Sequence, residues 1–113
     1  MPITNDQVLQ YSFLPGLYRD DYFPDAVVDQ GCAILRRLCE RIEAERPGDL
    51  DALYGLTAGA TEEFNVLQEA FEAAGSEIET VAREEIAEDF WFIANAYGFP
   101  EADAEKLISG RDW

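Results

Sequence analysis

The sequence predicts an all-α fold: an antiparallel up-down bundle of three long helices with short terminal helices and an aromatic N-terminal strap. Three observations predict it. Apolar residues recur three and four apart through most of residues 24–98. The breaks between periodic segments are only a few residues long, which sets neighbouring helices antiparallel. No stretch alternates with the period of two that a half-buried strand requires. Of the 113 residues, 48% are hydrophobic and 12% aromatic. That is enough apolar surface for a core, so residues 1–113 read as a single helical domain and not as a disordered acidic tail.

The first long helix is expected from Pro24 to Arg46, ending at Pro47-Gly48. Val28, Gly31, Leu35, Leu38 and Ile42 form its stripe, widened by Val27, Ile34, Cys32 and Cys39. The second runs from the N-cap Asp49 to Ala74, with Gly75 as its stop. Its apolar phase is unbroken from Leu50 to Ala74, although Gly55, Gly59 and Thr61 allow a kink. The third is expected to start with a capping box, Ser76 to Glu79, and to end at Gly98. A shorter helix follows over about residues 101–109. Residues 1–23 differ in kind. Tyr11, Phe13, Tyr18, Tyr22 and Phe23 fall in 13 residues without helical phase, and read as an irregular strap that closes the core.

Charge narrows the function classes. The chain holds 24 Asp and Glu against 8 Lys and Arg and no His, a net charge of -16. Without His there is no Ser-His triad, imidazole base or His-rich zinc site. A domain so acidic is not built to neutralise phosphates or anionic lipid, so neither nucleic acid nor membrane is expected as a partner. Met1 to Gln10 lacks a basic region and an apolar stretch, so no signal peptide is expected, and no apolar run is long enough to span a bilayer. A reducing, cytoplasmic location is the expectation. Cys32 and Cys39 are two helical turns apart, about 10 Å, beyond disulfide reach. They read as small buried hydrophobes, against the alternative of a thiolate activated by Arg36.

Several segments carry a resemblance. Tyr11-Ser12-Phe13-Leu14-Pro15-Gly16, Tyr22-Phe23-Pro24, Ser76-Glu77-Ile78-Glu79-Thr80, Ile86-Ala87-Glu88-Asp89-Phe90 and Arg111-Asp112-Trp113 resemble a family of small acidic bacterial proteins catalogued only as a domain of unknown function. The likeness runs across nearly the whole chain. It implies a bacterial, soluble, helical protein and a complete single domain, and it brings no catalytic residues.

Two constellations remain as candidate sites. Eleven of the sixteen net negative charges fall in residues 47–98, on an acidic hairpin whose outer face includes Glu62, Glu69, Glu72, Glu84 and Glu88. That face is either solvated or complementary to a basic partner, such as a toxin being neutralised or a DNA-binding protein. Tyr11, Phe13, Tyr18 and Tyr22 are the aromatic anchors expected beside it. In the third helix, Glu85 and Asp89 lie inside the apolar arc, where carboxylates must be paired, protonated or ion-bound. By height along the bundle, Arg36, Arg37 and Arg41 are their expected ion-pair partners. Trp91, near Ala87 and Ala94 on the opposite side, is expected to pack under the strap or the C-terminal segment, or to mark a dimer contact. No metal or cofactor is expected, since the phosphate, calcium and Cys motifs are missing. The leading expectation is a non-catalytic acidic interaction protein, of immunity type among the options, with a basic macromolecular partner. The alternatives are a structural or self-associating bundle, with a homodimer as its simplest form, and a small carboxylate-based enzyme or ligand-binding protein.

Overall fold

In the computed structural model the described residues, 3–113, form six helices and no strand: α1 (Asp6–Leu9), α2 (Pro15–Tyr18), α3 (Asp25–Glu45), α4 (Leu50–Ala73), α5 (Thr80–Ala96) and α6 (Ala104–Leu107). The three long helices are those that the apolar periodicity predicts. Their inward residues, among them Leu35, Leu38, Leu53, Phe64, Phe71, Ile86, Phe90 and Ile93, share one core. α3 packs most extensively on α4, and α6 lies against both α4 and α5. Both cysteines are buried and free.

α4 runs 24 residues without a break, about 36 Å at 1.5 Å per residue. No second helix starts at Thr61, whose hydroxyl shares its proton between the Thr57 carbonyl at 2.9 Å and the Leu107 carbonyl at 3.2 Å. Asn65 adds two bonds, donating to the Gly110 carbonyl at 3.1 Å and accepting from the Asp112 amide at 2.9 Å. These bonds hold the C-terminal segment so that Trp113 meets Phe64, ring centroids 6.0 Å apart.

The start of α5 departs from expectation. Ser76 does not cap it; Glu79 does, accepting from the Ala82 amide at 3.4 Å. Ser76 belongs to the turn before. Its amide donates to the Phe71 carbonyl at 2.8 Å, while Gly75, at φ +83°, donates to Glu72 at 3.0 Å. That is a Schellman ending, which uses the serine as the residue after the left-handed glycine. α5 ends the same way, with Gly98 at φ +89° and the Phe99 amide on the Ala94 carbonyl at 2.8 Å.

The N-terminal segment is less irregular than its composition suggests. It contains the one-turn helices α1 and α2, too short to show a period. Asn5 caps α1, its side-chain oxygen accepting from Gln7 and Val8. Phe13, Leu14, Leu17 and Phe23 are buried in the common core.

Candidate functional site

The inward carboxylates of α5 meet the N-terminal segment, not α3. Asp89 is 1% exposed. It accepts the Tyr11 hydroxyl on one oxygen at 2.7 Å and the Leu14 amide on the other at 2.8 Å. One turn earlier the partly buried Glu85 accepts the Gly16 amide at 2.6 Å. Helical spacing puts both carboxylates on one side of α5, so they grip successive points of residues 11–16. Leu14 sits in the left-handed region, φ 52°, where a side chain with a Cβ is strained. Its burial and the charge-assisted bond from its amide offset that cost. At Gly16 a Cβ would overlap the Glu85 carboxylate, so glycine is what lets the backbone approach so closely. Stacking of Tyr11 on Phe92, centroids 3.7 Å apart, completes the contact.

The expected ion pairs with α3 are therefore corrected. Arg36, Arg37 and Arg41 all stay exposed. Arg37 pairs with Glu63 of α4 at 2.7 Å and Arg41 with Glu45 of its own helix at 3.4 Å. Arg36 takes part in no ion pair among the described residues. Physical cost explains the outcome. Burying a guanidinium beside Asp89 would strip its hydration, whereas the amides of Leu14 and Gly16 leave water on folding anyway and need acceptors.

Electrostatics follow from this geometry. Burial pushes the Asp89 carboxyl up to about 6 against the two bonds that favour its charge, with Glu85 and Glu88 adding repulsion. Burial, then the bond to Asp89, raises Tyr11. A third carboxylate, not among those expected from the sequence, secures the start of the segment. Glu43 accepts from the Thr4 amide at 2.9 Å, the Thr4 hydroxyl at 2.8 Å, the Asn5 amide at 3.2 Å and the Tyr97 hydroxyl at 2.5 Å. Burial opposes its charge, but these bonds outweigh it and hold its pKa down to about 2. The only early sign was its place at the edge of the α3 apolar stripe, one turn past Cys39. Burial raises both thiols, Cys39 to about 12. Arg36 favours the Cys32 thiolate without overcoming that burial.

The expected anchors divide. Tyr11 is committed to Asp89 and Phe92, and Phe13 is buried, so neither is presented to a partner. Tyr18 and Tyr22 are 38% and 45% exposed, with the Tyr18 hydroxyl donating to Asp29. Glu62, Glu69 and Glu72 are exposed along α4, Glu62 accepting from Asn65 at 3.1 Å. The outward stripe of α5 is more distinctive. Val81, Glu84, Glu88 and Trp91 follow one another at spacings of three, four and three, all exposed, with Trp91 at 46% and Val81 at 58%. Neither glutamate is in an ion pair among the described residues. An indole beside unpaired carboxylates can take a cation on its face and neutralise it at its edge.

Among the described residues no group of three metal-ligating side chains converges, and no helix is long and apolar enough to cross a membrane. No curated protein and no solved structure matches the chain. One family model covers residues 7–113, nearly the entire length over which these contacts are made, and the chain accordingly belongs to that family of unknown function, DUF5713.

Proposed function

We propose that the protein is a non-catalytic binding module for a basic protein, engaged through the outward face of α5 and the acidic side of α4. The observation that carries this reading is the Val81–Glu84–Glu88–Trp91 stripe, an exposed indole preceded by two carboxylates that take part in no ion pair among the described residues. A net charge of -16 steers a basic partner toward it, and desolvation of Trp91 supplies the lasting affinity. Asp89 and Glu85, the inward carboxylates, are consumed by hydrogen bonds and take no part in binding. The finer arrangement belongs to the same reading. Short connections at residues 46–49 and 74–79 support an antiparallel up-down-up order, with the aromatic N-terminal segment as a strap that stiffens α5 behind its binding face. A cytoplasmic partner is part of the proposal.

Affinity capture from a native lysate tests it, run in parallel with the wild type, Trp91→Ala and the double variant Glu84→Gln/Glu88→Gln. A basic protein retained by the wild type and lost from both variants is the expected result. Its association should slow as salt rises toward physiological strength, where the Debye length is about 8 Å. Capture of the same proteins by all three forms would refute the assignment of this face.

A further inference from the structure

Arg19 and Arg36 stand out in a chain with three carboxylates for every cationic side chain. Neither takes part in an ion pair among the described residues. Both line one open cleft of about 420 Å³ between the N-terminal segment and α3. The remaining wall comes from Tyr11, Ser12, Phe13, Pro15, Tyr18 and Cys32, of which Tyr18 is the exposed aromatic. Hydrogen bonds tie the wall down from two sides. Asp89 and Glu85 hold the segment from the α5 side through Leu14 and Gly16. On the α3 side, the Tyr18 hydroxyl is tied to Asp29, and the buried Cys32 thiol reaches the Phe13 carbonyl at 3.5 Å.

We propose that this cleft binds a small aromatic carboxylate, with Arg19 and Arg36 holding the carboxylate group and the exposed Tyr18 ring and the half-buried Pro15 packing its body. Planar guanidinium forks match a carboxylate in two-point geometry. The surroundings select a single negative charge. Asp29 lies next to Tyr18 and Asp89 next to Tyr11, so a phosphate dianion meets local repulsion as well as the field of a chain at -16. An apolar body gains from contact with Tyr18 and Pro15 what a bare inorganic anion cannot. The site is separate from the outward stripe of α5, and the two proposals stand or fall independently.

The test is a titration of the ¹⁵N-labelled full chain at physiological ionic strength with 3-phenylpropionate. Inorganic phosphate and the neutral 3-phenylpropanol serve as comparison probes. The expected result is saturable binding of 3-phenylpropionate in the millimolar range or tighter, with shifts centred on Ser12, Arg19, Cys32 and Arg36. Phosphate should bind at least about tenfold more weakly, and the alcohol should not saturate. Arg19→Gln and Arg36→Gln should each weaken binding about tenfold, the scale of one charge-assisted hydrogen bond. Arg37→Gln, which removes the same charge outside the cleft, should change it by less than about twofold. No saturable shift, shifts centred elsewhere, or phosphate binding as tightly as 3-phenylpropionate would each overturn the proposal. So would an equal loss from Arg37→Gln, which would reduce the effect to net charge.

Discussion

Asp89→Asn isolates the energetics of the buried carboxylate. Asp89 ionises near pH 6 in the folded protein, against 3.8 for an ordinary Asp. The folded state therefore holds this proton more tightly than the unfolded chain does. Stability from this group is complete below pH 3.8 and is lost as pH rises through about 6. At 1.36 kcal/mol per pKa unit, the total loss is about 3 kcal/mol. Asparagine keeps the shape and removes the titration. Its carbonyl accepts from the Leu14 amide, and its amide donates to the Tyr11 hydroxyl, which turns from donor to acceptor. Other acids on the surface also make stability depend on pH, so the informative quantity is the difference between wild type and variant. Urea unfolding of both, from about pH 4 to about pH 8, should show the wild type losing about 2–3 kcal/mol relative to the variant, mostly below about pH 7. A difference that stays constant, or grows in favour of the wild type as pH rises, would refute the reasoning.

Three further outcomes are expected. Gly16→Ala forces its Cβ into the Glu85 carboxylate and should destabilise the fold by about 1–3 kcal/mol. Thermal melts check this, and adding Glu85→Ala, which clears the obstruction, should recover part of the loss. Glu43 has the opposite linkage to Asp89: its stabilisation is complete above pH 4.5 and is lost as pH falls toward about 2. The advantage of wild type over Tyr97→Phe in urea melts should therefore be largest near neutrality and shrink on acidification. Cys32 and Cys39, buried and shifted toward the protonated thiol, should react with a thiol reagent only as fast as the protein opens. Rapid modification under native conditions would contradict their placement.

What was legible in the sequence was whatever periodicity encodes. The α3 stripe, the continuous α4 phase and the burial of both cysteines follow from which residues recur every three or four positions. So does the inward position of Asp89. Its partners could not be read that way, because matching residue types offers only side chains as answers. The groups that meet Asp89 and Glu85 include two backbone amides, and every non-proline residue carries one. Nothing about leucine advertises that Leu14 takes a left-handed conformation. Ser76 had a correct capping pattern, but the preceding Gly75 claimed it for the end of α4. One-turn helices escape a method that needs two turns, although Asn5 before Asp6 was a readable cap.

The arrangement of carboxylates separates two uses of the same chemistry. Glu43, Glu85 and Asp89 point at donors of the N-terminal segment and are satisfied within the chain. Glu84, Glu88, Glu69 and Glu72 lie on exposed faces and take part in no ion pair among the described residues. Folding accounts for the first group, because each of its members supplies an acceptor to a backbone amide that leaves water. It does not account for the second, whose mutual repulsion costs stability that neutral residues would restore. Charge kept at such a cost is explained by solubility alone only if it is spread without regard to neighbours. On α5, Glu84 and Glu88 instead lead at helical spacing to Trp91, a large apolar side chain left 46% exposed. On the proposed reading, that pairing of charge with an exposed indole is what distinguishes this face from a merely solvated one, and it makes Trp91→Ala the more telling substitution. The variant should lose the partner while the melting temperature stays close to that of the wild type, since a half-exposed ring contributes modestly to the core.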